Sequence, residues 1–247
     1  VSAVTSVMTL RLAGPFQSWG SSSRFARRTT ERAPTKSGVV GLLAAAQGRD
    51  RSADVADLAA LRFAVRLDQP GTRVRDYQTA HHADTDKSMP VSERFYLSDA
   101  VFVAAVEGDA DLIDALHTAV RSPVYLPFLG RRSCPPSRPL DLRVHRTGGL
   151  WRALETEPWQ ASTWVQRRRE HEHRVELEVI ADLPAGEGPG ESVRDRPISF
   201  DPRHRRYGLR TVRSRAVTVP NPQGKSPGTS RRAFVPPKHD PMGPLED

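Results

Sequence analysis

The sequence contains a single cysteine, Cys134, in 247 residues. A lone thiol excludes an internal disulfide framework and any paired-cysteine zinc ribbon or knuckle, and it fits a reducing cytosol. Long apolar runs are also missing. The longest, Val39 to Ala46, is interrupted by Gly41 and falls far short of the ~20 residues that span a bilayer. No cationic segment followed by an apolar stretch opens the sequence, so no secretory signal is expected; the expectation is a cytoplasmic protein without a membrane partner. Lysine is scarce. Only four of the 37 basic residues are Lys, leaving 33 Arg. Arg grips phosphate as a planar fork and stacks on bases, which Lys does not. A GC-rich coding sequence accounts for much of that bias, but not for the net charge of +8. Two long stretches toward the ends lack acid. Residues 1–30 contain none yet hold Arg11, Arg24, Arg27 and Arg28, and residues 203–239 contain none yet hold ten cations. A chain this basic commonly meets a polyanion.

The length and a hydrophobic share of 37% fit one generous domain or two small ones, large enough to bury a core without covalent staples. Met8, Leu10 and Leu12 alternate with Val7, Thr9 and Arg11 as a strand does. A loop over 14–33 follows. A helix then enters through Pro34, with Thr35 or Ser37 as its cap and Gly48 at its end; its small residues Gly38, Gly41 and Ala44 to Ala46 suit close packing on a sheet. A short helix is expected over 53–60 and a strand over 63–67. Residues 72–97 read as a hairpin with a polar tip at 81–90. A strand over 100–106, a helix from Asp109 or Asp111 to before Pro123, and a strand over 140–145 complete the series. The order is that of an α+β, ferredoxin-like (RRM-like, βαββαβ) domain with an inserted hairpin, an arrangement shared by many RNA-binding modules. This domain is expected over 1–148. A smaller, mostly β part follows over 149–220, with strands over 174–181 and 207–219, and then a Pro/Gly-rich basic tail over 221–247.

Candidate ligands cluster in two loops and the hairpin. The loop Gly14-Pro15-Phe16-Gln17-Ser18-Trp19-Gly20 offers Gln17, Ser18 and Trp19. Polar or small flanks set Trp19 near the surface, as a stacking residue or a packed one. Arg24, Arg27 and Arg28 follow. The helix entry Thr35-Lys36-Ser37 could present free N–H groups, two hydroxyls and an ammonium to a phosphate, although the spacing is not that of a P-loop. Leu129-Gly130-Arg131-Arg132 is a second glycine-basic loop. On the hairpin, Arg75 and Arg94 can bind phosphate as forks and Tyr77 can offer a flat face to a base. Taken as an isolated ribbon, this hairpin would be marginal in water and would need a partner to rest on. His81, His82 and Tyr77 are the residue types of metal-free RNA cleavage, but the histidines fall on the exposed tip, and no catalytic role is assigned. Glu170, His171, Glu172 and His173 match no zinc spacing and read as a solvated stretch, and Cys134 reads as structural. No metal or cofactor is expected.

Several motifs in one order carry a family resemblance: LAGPFQSWG at 12–20, Arg27-x-Thr29 before PTKSGVVGLLAAAQGR at 34–49, RDYQTAH at 75–81, FYLSDAVFVAAVEG at 95–108 and FLGRRSCPP at 128–136. Together they resemble the CasD family, the subunits that bind the crRNA 5′ handle in Cascade, the type I-E CRISPR effector. The resemblance is strong over residues 5–140 and weak beyond. It implies a RAMP-type ferredoxin-like domain whose thumb corresponds to the 72–97 hairpin. It also implies binding of the crRNA 5′ handle beside the large CasA subunit and the CasC backbone, with target DNA met only indirectly. The implied role is structural; cutting of the precursor falls to another subunit. The competing readings are a metal-independent endoribonuclease acting on CRISPR repeat RNA, and a general RNA-binding module outside CRISPR systems.

Overall fold

The computed structural model describes residues 4–20, 27–184 and 186–225. Arg24 and residues 226–247 of the expected tail lie outside the described residues. The elements in chain order are β1 (Thr5–Ala13), β2 (Phe16–Gln17), β3 (Arg27–Arg28), α1 (Lys36–Ala46), α2 (Ala56–Ala60), β4 (Arg62–Gln69), β5 (Thr72–Gln78), β6 (Ser92–Ser98), β7 (Val101–Asp109), α3 (Ala110–Arg121), β8 (Asp141–His145), α4 (Gly149–Thr156), α5 (Thr163–Arg168), β9 (Arg174–Asp182), β10 (Glu191–Ser199) and β11 (Arg206–Pro220).

Alternation in β1 sorts its side chains between two cores, because successive strand residues point to opposite faces. Met8, Leu10 and Leu12 join Phe63, Val65, Phe102, Ala104 and Val106 under α1 and α3. Val7 joins Ala64, Val103 and Ala105 on the other face, with Leu150 and Leu154 of α4. Asp109 caps α3 by accepting from the N–H groups of Asp111 and Leu112, a contribution of about 1 kcal/mol. Ile113, Leu116 and Val120 then form its buried stripe. The strand order β4-β7-β1-β8, antiparallel throughout, is the split βαβ arrangement of the ferredoxin-like fold.

The C-terminal part is mostly strand but does not stand apart. β9 pairs with the edge of β4, Ala64 opposite Ala181 and Arg66 opposite Val179, and β11 and β10 follow outward, so one seven-stranded sheet of order β10-β11-β9-β4-β7-β1-β8 runs through both parts. Val175, Leu177, Val179, Val217 and Val219 share the second core with Val7 and Ala64. The join carries a fully buried ion pair. Arg66 Nε and Nη2 reach Asp68 at 2.7 and 2.8 Å, and Arg66 also donates to the carbonyls of Leu154, Glu157 and Pro158. Three elements of the C-terminal part differ from expectation. Residues 149–168 hold two helices, α4 and α5, and β10 shows no clear period because charged residues and Pro197 break its pattern.

The hairpin is not an isolated ribbon. β5 and β6 pair from Thr72–Ser98 to Gln78–Ser92. The other edge of β6 is occupied by β2 at its base, Phe16 opposite Ser98, and by β3 higher up, Arg27 opposite Glu93. The segments of the first loop therefore back the hairpin within the chain, a pairing of low sequence locality that alternation alone did not reveal.

Candidate nucleic-acid interface

Two loops meet at the base of the hairpin. The Ser18 N–H donates to the Leu129 carbonyl at 3.1 Å. Gly130 sits at φ +84°, and a Cβ there would lie 1.8 Å from the Ser18 carbonyl oxygen, so only glycine admits this approach. The side chains of the first loop are engaged inward. Gln17 Nε2 donates to the carbonyls of Leu12 and Ala100, and its Oε1 accepts from the Trp19 indole at 3.0 Å. Ser18 Oγ donates to the Phe95 carbonyl. Trp19 is fully buried with its ring against Gly38, and its N–H donates to Thr30 Oγ1. The structure turns Gln17, Ser18 and Trp19, expected as RNA ligands, inward: backbone carbonyls, Thr30 and each other take up their polar groups. They pin the loop, and Ser18 and Trp19 form part of a cavity wall.

The polar groups of the helix entry are also engaged within the chain. Thr35 Oγ1 accepts from the Gly38 N–H at 3.2 Å, and the Ser37 hydroxyl turns to Thr35. The Lys36 N–H donates to Asp195 Oδ2 at 2.8 Å, and Lys36 Nζ meets Asp182 Oδ2 at 3.0 Å. Arg210 joins both acids, with Nη1 at 2.7 Å from Asp182 and Nη2 at 2.9 Å from Asp195. Burial lowers the Lys36 pKa, and the Asp182 charge opposes that shift. A carboxylate from β10 thus stands where a phosphate would stand at a free helix start. Thr35, Lys36 and Ser37 are buried, and Lys36 holds α1 to the extended sheet.

Cations, most of them exposed, gather in a cavity of about 800 Å³ beside these loops. α1 lines it with Gly41 and Ala45, which are half-buried, while Leu42, Ala44 and Ala46 belong to the core. Arg28, Arg49, Arg51, Arg131, Arg132 and Arg205 line it, with Asp50 as the one acidic lining residue among the described residues, and Tyr125, Phe128, Phe200 and Tyr207 supply ring faces. Arg49 is committed to Asp57 through two hydrogen bonds of 2.7 and 2.5 Å. Arg131 is poised at the rim. Its Nη2 donates to the Arg28 carbonyl at 2.9 Å, its guanidinium lies 4.8 Å from the centre of the Tyr96 ring, and its Nη1 is buried without an acceptor among the described residues. Forked cations with accessible ring faces suit phosphates and unstacked bases.

The hairpin splits the remaining expected residues between its faces, because cross-strand partners share a face. Arg28 pairs in register with Arg94, and Arg94 with Asp76. That face also carries Tyr96, under Arg131, and so continues from the cavity. Arg27, Arg75 and Tyr77 lie on the reverse face, where Arg27 and Arg73 cover the Phe95 ring and Arg75 covers Tyr77. The structure thus brings together Arg28, Arg94, Arg131 and Arg132, and separates Arg27, Arg75 and Tyr77 from them. Arg51, Arg205, Tyr125 and Tyr207 were missed as single residues. The acid-free stretch from residue 203 was the signal for Arg205; nothing local marked Tyr125, which comes to the cavity from the turn after α3. At the hairpin tip, His81 and His82 are exposed beside Asp86 and Asp84.

A family profile described as CRISPR-associated protein (Cas_Cas5) matches residues 7–213. The chain belongs to this family. Among relatives of the Cas5 family, the CRISPR system Cascade subunit CasD of Escherichia coli (strain K12) is 41% identical over 170 residues, covering 60% of this chain and 75% of that protein. Among solved structures, a subunit of a CRISPR RNA-guided surveillance complex aligns at 32% identity with TM-score 0.71, covering 90% of this chain and 94% of its own. A crystal structure of a Cas protein aligns at 38% identity with TM-score 0.66, covering 88% and 97%. No helix among the described residues is long and apolar enough to cross a membrane.

Proposed function

We propose that this chain is the CasD-type subunit of a type I-E Cascade complex and that its arginine-lined cavity holds the 5′ handle of the crRNA. Kinship to a Cascade subunit and to a chain of an RNA-guided surveillance complex supports membership in such an assembly. The observation that carries the site is the convergence of Arg28, Arg131, Arg132 and Arg205 around one cavity that opens onto the Arg94 face of the hairpin. In this reading the cavity arginines bind the backbone of the handle, and Tyr125 or Tyr207 meets an unstacked base. The hairpin is the thumb, and its reverse face, with Arg75 and Tyr77, addresses the CasC backbone subunit. CasA lies next to the same end of the complex, target DNA is met only through the assembled particle, and the complex works in the cytoplasm. The role is structural and non-catalytic, with the exposed His81 and His82 serving the tip turn rather than RNA cleavage. The test is photocrosslinking of crRNA carrying photoreactive handle nucleotides within the purified complex. Crosslinked peptides are expected from 125–132 and 203–207. Crosslinks confined to the α3 and β8 side of the chain would refute the cavity as the handle site.

A further inference from the structure

The helix α5 carries a surface that the handle cavity does not use. Thr163, Trp164, Arg167 and Arg168 follow the i, i+1, i+4, i+5 spacing that places four residues on one helix face, and all four are exposed, Trp164 to 59%. The opposite side of the helix is locked. Gln166 is buried and donates to the carbonyls of Trp159 and Ala161 at 3.0 Å, and Asn221 donates to the carbonyls of Gln166 and Arg169. Val165 packs on the second core. Nearby acids are engaged elsewhere, Glu172 with Arg169 and Glu170 with Lys225 at 2.6 Å each. Among the described residues no ion pair includes Arg167 or Arg168. A rigid helix therefore holds one large aromatic face and two unpaired guanidinium forks toward solvent.

We propose that this face binds single-stranded nucleic acid, separately from the handle. The chemistry is that of a stacking platform with backbone cations: an indole offers its plane to a base, and two forks take flanking phosphates. A duplex would not suit it, since its base faces are already covered by neighbouring pairs. A basic segment is excluded by like charge. The strand bound here differs from the segment in the cavity, because α5 packs on the sheet face of Val175 and Leu177 while α1, which lines the cavity, packs on the opposite face with Phe63 and Phe102.

The test uses the full chain and labelled oligo(U) and oligo(dT) lacking handle sequence, in the wild type and in an R28A/R131A background that removes cavity cations. Trp164→Ala is expected to weaken binding about tenfold in both backgrounds, with Trp164→Phe retaining most of it. R167A/R168A is expected to lower the slope of log affinity against log salt by about 1.4. Affinity for handle RNA stays at the wild-type value in the Trp164 and Arg167/Arg168 variants. Unchanged oligonucleotide binding in both α5 variants, with circular dichroism intact, overturns the proposal. So does loss of a co-purifying protein subunit in Trp164→Ala while oligonucleotide binding persists, which would assign the face to a protein. Loss of handle binding in R28A/R131A bears only on the cavity, so the two readings fail independently.

Discussion

Lys36 Nζ stands 3.0 Å from Asp182 Oδ2, while the backbone N–H of the same lysine donates to Asp195. One residue thus joins the start of α1 to two acids that arrive from β9 and β10. The Lys36 side chain is only 6% exposed, and breaking such a buried pair by removing one partner costs roughly 3–5 kcal/mol. Lys36→Ala is therefore expected to lower the urea midpoint strongly. Its folded fraction should keep the wild-type salt slope for handle RNA. A slope reduced by about 0.7 would instead put the ammonium on a phosphate.

Gly130 tests the junction of the two loops. Alanine there would place a Cβ 1.8 Å from the Ser18 carbonyl, at a φ of +84°. Gly130→Ala should cost at least about 1–3 kcal/mol and should weaken handle binding by parting the cavity walls. Equilibrium unfolding and RNA titration check both effects. Wild-type stability would show that the loops do not depend on this contact.

The two faces of the hairpin are expected to behave differently. Arg28, Arg131 and Arg132 border the cavity, so their joint replacement by Ala should reduce the salt slope for handle RNA by about 2. Arg75→Ala with Tyr77→Phe alters only the reverse face and should leave handle affinity near wild type. Equal losses from both variants in a filter-binding series would contradict this division.

Acid stability should report the pairing of Arg32 with Glu178, at 2.5 and 2.6 Å. The hydrogen bond from Arg32 is the largest influence lowering the Glu178 pKa. A carboxylate depressed on folding contributes stability that is present above its unfolded value of about 4.3 and is lost as pH falls through the lower folded value. Arg32→Gln is thus expected to reduce the thermal midpoint near neutral pH slightly and to flatten its decline on acidification. An unchanged acid limb would show that the pair contributes nothing on this exposed surface.

The tip of the hairpin over 79–91 is exposed, and its turn is held by contacts such as the His82 N–H to the Lys87 carbonyl. β6 keeps its partners β2 and β3 without it. Replacing residues 80–91 by a short Gly-Ser linker should leave circular dichroism unchanged while reducing co-purification of crRNA and the backbone subunit. Undiminished co-purification would remove the tip from the assembly surface.

Local pattern was enough to define the ferredoxin-like series. Alternation at Met8, Leu10 and Leu12, the cap at Asp109 and the hairpin arms are properties of neighbouring residues, and they set the strand and helix periods directly. The same short range made loops 14–20 and 128–132 recognisable and marked the acid-free stretches 1–30 and 203–239 as basic. It could not assign exposure. Trp19 and Gln17 look like surface ligands until Thr30, Leu12 and Ala100 supply their partners. Lys36 looks like a phosphate ligand until Asp182 and Asp195 arrive from about 150 positions away. Burial of a charge depends on whether an opposite charge is delivered to it in space, and only the pairing of β9 to β4 brings those two acids to α1. The cavity has the same origin. Arg28, Tyr125, Arg131 and Arg205 belong to separate stretches of chain, and only the packing of those stretches around α1 makes them one surface.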